Sequence, residues 1–254
     1  MIVVKIGGSI LENVIENNNF YNVLKNINDD IIIVHGGGNY LDNHSDLFNY
    51  EKKYVTSPEG IRSRYTDKKT LDIFTMAMNL INNKIVLNLK RSGLKAVSLN
   101  GTINARRKEK LIIINEKGRK MVIDGGYTGK ITDIDTIPLK NILESGYIPV
   151  IPPLAYSNES YLNVDADRAA AYIAGYMKAD ALILLTNVNG LYINNNIIEK
   201  ADENYIKSII KNVGHGMDKK LMASMEAIDY GVKKVIISNP FNDIYNGTVI
   251  YNEL

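Results

Sequence analysis

Asp30–Asn39 reads DIIIVHGGGN, and the reading of this stretch decides the fold. Ile31–Val34 is a run of four β-branched residues without a polar break, the pattern of a strand buried on both faces of a parallel sheet. A histidine and three glycines follow at once. Consecutive glycines cost chain entropy, so a bare backbone is required there and something must approach the main chain closely. The start of the chain repeats the arrangement, with strand-like Ile2–Ile6 running into Gly7-Gly8.

Working outward, strand and helix patterns alternate almost from end to end. Ile10, Leu11, Val14, Ile15, Val23, Leu24 and Ile27 keep a helical rhythm. A long helix is expected after Thr66 as N-cap, with Leu71, Phe74, Met78, Ile81, Ile85 and Leu89 spaced by three and four, and an end at Gly93. Lys95–Leu99, Tyr147–Ile151, Ala181–Leu185, Val235–Ser238 and Thr248–Tyr251 read as strands. Helices are expected over Ala166–Lys178, Ala201–Lys211 and Met217–Tyr230. Lys110–Ile114 and Lys120–Ile123 flank a turn and read as a β-hairpin. There are no repeats and no flexible linker. The expectation is one α/β protein, an open sandwich with a mainly parallel central sheet and ligands at the strands' C-terminal ends.

Composition narrows the chemistry. The 254 residues carry 30 basic and 28 acidic side chains, a net charge of +2, so no global nucleic-acid signature exists. The absence of cysteine removes disulfides, thiolate catalysis and thiolate metal sites. The three histidines, His35, His44 and His215, are too scattered for a metal triad. MIVVKIGGSI is too short and polar for a signal peptide, and no segment suits a membrane span. A soluble intracellular protein is expected.

Several glycine-rich chemistries can be set aside. HGGG also serves esterases as an oxyanion loop, but no serine stands in a G-x-S-x-G frame. Neither a Walker loop nor a G-x-G-x-x-G fingerprint is present. What remains is two glycine loops, each between a buried strand and a helix, whose N–H groups make an anion site. Structural tight turns are the plain alternative. Lys5, inside an apolar strand just before Gly7-Gly8, should bring an ammonium to the same loop, unless it snorkels to an edge. Asn163, Asp165 and Asp167 alternate at the start of a helix. Gly214–Lys220 delivers lysines onto a first helical turn, where they oppose the dipole and so need a reason other than stability.

Together, K-x-G-G at Lys5–Gly8, HGGG at His35–Gly38, G-x-R at Gly60–Arg62, N-x-x-A-D at Asn163–Asp167 and G-M-x-x-K at Gly216–Lys220 resemble the amino acid kinase family, in its N-acetylglutamate kinase branch. Order and spacing agree over essentially the whole chain. Tyr54–Thr66 and Glu116–Lys130 look like the archaeal kinases of lysine and arginine biosynthesis, which act on α-aminoadipate or glutamate bonded to the small acidic carrier protein LysW. The resemblance implies a homodimer, with an amino-acid lobe over about 1–160 and an ATP lobe over about 161–254. It implies ATP with Mg2+ carried by the nucleotide, an acyl phosphate product and no general base. On that resemblance Lys5 and Lys220 stabilise the transferring phosphoryl group and Asp167 holds both. Gly8, Gly37 and Gly38 contact the phosphoryl group or the substrate carboxylate, and Arg62 and Asn163 fix the amino-acid end. Thr186, Asn187, Gly190 and Tyr192, with Gly216 and Met217, line the nucleotide. Relatives often have aspartate where Asn187 stands.

Arg106–Lys120 adds a reading that does not rest on the family. Seven basic residues against two acidic ones give +5 in fifteen positions, leaving −3 for the rest of the chain. Such a patch suits an acidic macromolecular partner, with a solvated sheet edge as the plain alternative. Nucleic acid suits it less, since no aromatics are interleaved. Arg64 and Tyr65 would extend the grip toward the carrier. The competing functions are a kinase of free N-acetylglutamate and a silent nucleotide-binding regulator. Aspartate kinase is disfavoured because no regulatory domain is expected after Leu254, and isopentenyl phosphate kinase because the site lacks the extra histidine that would meet a substrate phosphate.

Overall fold

The computed structural model describes residues 1–44, 51–214, 216–241 and 243–252. Eight strands form the central sheet in the order Lys200–Asp202, Gly247–Tyr251, Lys234–Ser238, Ala181–Leu185, Ile2–Ile6, Ile31–His35, Ile148–Ile151, Ala96–Ser98. All neighbours run parallel except Lys234–Ser238 with Gly247–Tyr251, so the first two strands form a reversed edge. The four central strands, Lys234–Ser238 through Ile31–His35, are almost wholly buried, which is why they read as continuous apolar runs.

Strand side chains alternate between faces, and the two cores follow that alternation. Ile2, Val4, Ile6, Ile31 and Ile33 share one core with Leu11 and Val14, Phe20 and Leu24, and the long helix. Val3, Ile32 and Val34 share the other with the helices Ala166–Tyr176 and Met217–Asp229. The result is the expected sandwich of helices on both sheet faces.

The long helix spans Lys68–Arg91 and buries Leu71, Ile73, Phe74, Met78, Ile81, Ile85 and Leu89. Each contributes about 1.5–3 kcal/mol by leaving water. Its N-cap is Asp67, not Thr66: the Asp67 carboxylate accepts from Thr70 N at 2.8 Å, worth about 1 kcal/mol. Thr66 is instead buried and used across the chain, as described below. At the other end Gly93 takes φ 84°, with Leu94 N donating to Leu89 O and Gly93 N to Lys90 O, which closes the helix as expected.

Three regions depart from the expected pattern. A second sheet has four strands in the order Tyr161–Asn163, Leu154–Tyr156, Ile103–Arg107, Gly129–Ile134, the last of them in contact with the helix Ala166–Tyr176. The segment after Leu185 contains a small hairpin, Leu191–Ile193 with Asn196–Ile198. Lys200–Asp202 is a strand, and only Glu203–Ile209 is α-helical, continued by a 3-10 turn over Ile210–Asn212. The basic hairpin forms, pairing Lys110–Ile114 with Lys120–Asp124 around a turn in which Gly118 has φ 72°. Arg106 and Arg107 lie on the second sheet instead, paired with Lys130 and Gly129. The patch is therefore divided between two elements.

Candidate active site

Strand alternation aims Lys5. It shares the face of Val3, which packs toward the helices Ala166–Tyr176 and Met217–Asp229. Its Nζ lies 2.5 Å from Asp167 Oδ1, and both side chains are more than nine-tenths buried. Lys220 Nζ stands 3.8 Å from the other oxygen of Asp167 and donates to Gly216 O at 3.3 Å. Burial would push the Asp167 carboxyl up, but Lys5 and Lys220 outweigh it and hold the group below the usual carboxylate range. Burial, aided by Lys5 and Lys219, pushes the Lys220 ammonium down against the pull of Asp167. Two cations share one buried anion, so the site has spare positive charge for an incoming polyanion. Asp165 does different work as N-cap, accepting from Asp167 N and Arg168 N, each at 3.0 Å.

Facing this group are the two glycine loops. Ile6 and His35 are register partners on adjacent parallel strands, so both loops leave the sheet side by side. A Cβ built on Gly8 would lie 3.6 Å from Gly37 N, 3.7 Å from Gly38 N and 3.8 Å from Asn39 N. Among the described residues the N–H groups of Gly8 and Gly37 have no acceptor. The helices after the loops, Leu11–Glu16 and Gly38–Asn43, have only six residues each, so convergent amides rather than a long helix dipole make the anion site.

The expected substrate-end residues meet at the same cleft, a cavity of about 740 Å³ and large enough for a nucleotide with a small acceptor. Asn163 donates to Thr66 Oγ1 at 2.9 Å, which accounts for the buried threonine. Arg62 is exposed and stacks over Tyr54, 4.1 Å from the ring centroid. Arg64 turns inward: it pairs with Asp42 at 2.9 Å and donates to Gly38 O at 2.9 Å, bracing the glycine loop rather than reaching outward. Lys219 spans the cleft, donating to Arg62 O at 3.0 Å while standing 3.9 Å from Asp165. On the expected nucleotide side, Thr186, Asn187, Gly216 and Met217 line the cavity. Gly190 and Tyr192 do not. Gly190 packs against Thr248, and Tyr192 is exposed on the small hairpin. Gly216 has φ 89°, which glycine adopts without strain, and opens a helix of 13 residues. His215 lies outside the described residues.

Residues 1–239 match the pattern of the amino acid kinase family. The chain belongs to that family. It is 45% identical over 246 residues to the putative [LysW]-aminoadipate/[LysW]-glutamate kinase of Nitrosopumilus maritimus, covering 94% of this chain and 92% of the relative. The [LysW]-aminoadipate/[LysW]-glutamate kinase of Sulfurisphaera tokodaii is 44% identical, over 94% of this chain and 93% of that one. Among solved structures, carbamate kinase of Giardia lamblia superposes with a TM-score of 0.71 at 12% identity, covering 99% and 98% of the two chains, a likeness of fold alone.

This family member places three features that the sequence did not reveal. Lys108, counted in the outer basic patch, is half-buried and lines the cleft. Burial pushes its ammonium down, helped by Arg168 and Lys130 against Asp165. Arg168 also lines the cleft and is held by Glu226, at 2.9 and 2.5 Å. Arg107 is tied to Gly126 O at 2.6 Å and to Asp124 at 2.7 Å, so it stabilises the second sheet's end rather than offering a free charge. No helix among the described residues is long and apolar enough to cross a membrane. No group of three His, Cys, Asp or Glu among them is placed to hold a metal ion.

Proposed function

We propose that this chain transfers the γ-phosphoryl group of ATP to the side-chain carboxylate of α-aminoadipate or glutamate borne by the acidic carrier protein LysW. The Lys5–Asp167–Lys220 group facing the amide cluster is the observation that carries phosphoryl transfer. The carrier-borne acceptor rests on the names of relatives at 45% and 44% identity.

A carboxylate oxygen attacks the γ-phosphorus, the bond to the bridging oxygen breaks, and ADP leaves with that electron pair. The nucleophile is already ionised, so no proton moves and no base is needed. Catalysis consists of alignment and charge neutralisation. Lys5 and Lys220 neutralise the equatorial and bridging oxygens, and Asp167 holds both ammonium groups without acting as a base. Gly8 and Gly37 point unpaired N–H groups at the transferring group or the acceptor carboxylate. Arg62 and Asn163 hold the amino-acid end, while Thr186, Asn187, Gly216 and Met217 hold the nucleotide. Mg2+ would be carried in by the triphosphate and would help neutralise the charge of the phosphoryl group in transfer. The amino-acid lobe spans about 1–160 and the ATP lobe about 161–254, with the cleft between them.

The carrier docks on the exposed charges of the hairpin, Lys110, Lys117, Arg119 and Lys120, with Arg106 beside them. Met76, Leu80 and Leu87 stand exposed along one stripe of the long helix, which supports a homodimer through that face. The setting is cytoplasmic lysine biosynthesis, and arginine biosynthesis where glutamate is the acceptor. The test is ATP turnover with LysW-bound aminoadipate, LysW-bound glutamate and free N-acetylglutamate in parallel. Turnover of the free amino acid alone would make the chain an N-acetylglutamate kinase instead.

A further inference from the structure

Beneath the amide cluster lies a polar chain whose members His35 and Asn82 are fully buried in an otherwise apolar layer. His35 is fully buried, and its Nδ1 lies 2.8 Å from Gly36 O. A carbonyl only accepts, so Nδ1 carries the proton and donates. The ring's Nε2 must then accept. It faces Asn82, fully buried on the long helix among Met78, Ile81 and Ile85. With Asn82 Nδ2 donating to Ser98 Oγ at 2.6 Å, both His35 Nε2 and Asn82 Oδ1 are left without a partner. A half-turn of the Asn82 amide satisfies both at once: the amide NH2 then donates to Nε2, and the Ser98 hydroxyl donates to Oδ1. The two orphaned atoms and the one short contact thus have a single solution, a chain running Ser98, Asn82, His35, Gly36.

We propose that Ser98, Asn82 and His35 form a positioning relay that fixes the Gly36–Gly37 peptide, and so aims the Gly37 N–H into the anion site. The reasoning is geometric. That peptide is trans, so its C=O and N–H point opposite ways. Drawing Gly36 O toward the His35 ring turns the Gly37 N–H away from it, to the side where Gly37 N stands 3.6 Å from a Cβ built on Gly8. Gly36 N is pinned by its own bond to Ile6 O at 2.9 Å, so the carbonyl end is the remaining freedom of the turn. Glycine loops flip peptides easily, and a flipped Gly36–Gly37 unit would present a carbonyl oxygen to a phosphoryl oxygen. An apolar side chain in place of Asn82 would pack this layer at lower cost, because burying a polar chain stabilises little even when fully satisfied. Burial holds the imidazole far below its ordinary 6.5, to about 4, against the opposing pull of the Gly36 carbonyl and the Asn82 side chain, so the ring stays neutral and keeps an accepting Nε2. His35 therefore acts through Gly37 and touches no substrate.

This inference rests on the kinase reading for its rate measurement but not for its spectroscopic one. In the full-length protein labelled with 15N-histidine, only three rings need assignment. The His35 ring is expected as the neutral Nδ1–H tautomer at pH 7. An Nε2–H tautomer, or a ring that titrates near neutrality, would overturn the relay. Asn82→Leu should release the tautomer preference and lower kcat about tenfold with little change in the KM for ATP. His35→Phe should lower kcat on the order of 10²-fold, the scale of losing one oxyanion-type donor, and His35→Gln, which keeps an N–H to offer Gly36 O, should recover part of it. A folded His35→Phe protein with kcat within threefold of wild type would refute the proposal. If His35→Phe does not fold, the wild-type tautomer and Asn82→Leu still decide. If the wild-type chain turns over neither carrier-borne nor free N-acetylated substrate, the kinase reading fails and the tautomer alone judges the relay.

Discussion

Gly8→Ala separates the anion cluster from the stability of the fold. The added methyl would stand 3.6, 3.7 and 3.8 Å from the nitrogens of Gly37, Gly38 and Asn39. These are ordinary contacts for carbon, and Gly8 is not among the glycines with left-handed φ, so the folded chain accepts the methyl without moving. A glycine-to-alanine change of this kind is neutral or stabilises by about 0.4–1 kcal/mol through the unfolded chain. An anionic oxygen held by the same amides has to sit about 2.9 Å from the nitrogens, in the space the methyl now occupies. Loss of one such donor costs ~10²–10³ in kcat, or about 2.7–4 kcal/mol of barrier, and the methyl obstructs up to three. Urea unfolding run beside ATP turnover should therefore show unchanged stability and a rate at least 10²-fold lower. A variant that keeps kcat within tenfold, or one whose lost activity is matched by lost stability, would refute the assignment. Gly37→Ala is the contrast. Its methyl would meet Met78 Cε at 2.3 Å and Ile81 Cδ1 at 2.7 Å, so it should destabilise by roughly 1–3 kcal/mol as well as inactivate.

Lys220→Ala should lower kcat by ~10²–10³ while weakening ATP binding far less, because its charge matters most as the bridging oxygen leaves; near-normal turnover would remove it from the mechanism. Asp167→Asn should slow turnover without introducing a new pH optimum, and should destabilise by about 3–5 kcal/mol because it leaves two buried ammonium groups without an anion; a rate profile altered in shape would mean a proton transfer had been overlooked. Reversing Lys117, Arg119 and Lys120 to glutamate should weaken use of LysW-borne substrate and blunt its salt dependence, the Debye length shrinking from about 10 Å at 0.1 M to about 3 Å at 1 M. Lys108 and Arg107 are left out of that variant because one lines the cleft and the other braces the second sheet; equal slowing on a small N-acetylated substrate would show that the hairpin serves the fold. Between pH 6.5 and about 4 the unfolded chain takes up a proton that buried His35 refuses, so stability is complete above that window and falls as pH drops through it. The shift corresponds to about 3 kcal/mol, and His35→Gln should flatten that part of the urea midpoint's pH dependence.

What the sequence disclosed depended on how local the cause was. Ile2–Ile6 and Ile31–His35 were legible because strands buried on both faces must be apolar throughout, and Lys5 stood out against that background. The long helix was legible from its spacing, but its cap was misread by one residue because Thr66 and Asp67 are both capping types. Thr66 is drawn out of the capping role by its partner Asn163, which lies 97 positions away. Lys108 was misplaced for a similar reason. Its side chain lies near Asp165, Arg168 and Lys130, none of them a sequence neighbour, a proximity no local pattern encodes. The second sheet escaped notice since two of its strands have only three residues and INARR carries no clear alternation. Nothing in the local sequence singles out Asn82, whose partners lie on other elements.

The pairing of Ile6 with His35 makes this protein its own proof-reader during refolding. A slip of one residue between those parallel strands would change which side chains share a face and would draw the two glycine loops out of step. Much of the apolar sheet would still form, and spectroscopy of secondary structure would register little amiss. Phosphoryl transfer would vanish, because the amides would no longer meet in front of Lys5. Recovered activity after denaturation is therefore a measure of strand alignment at single-residue precision, finer than any bulk signal of folding.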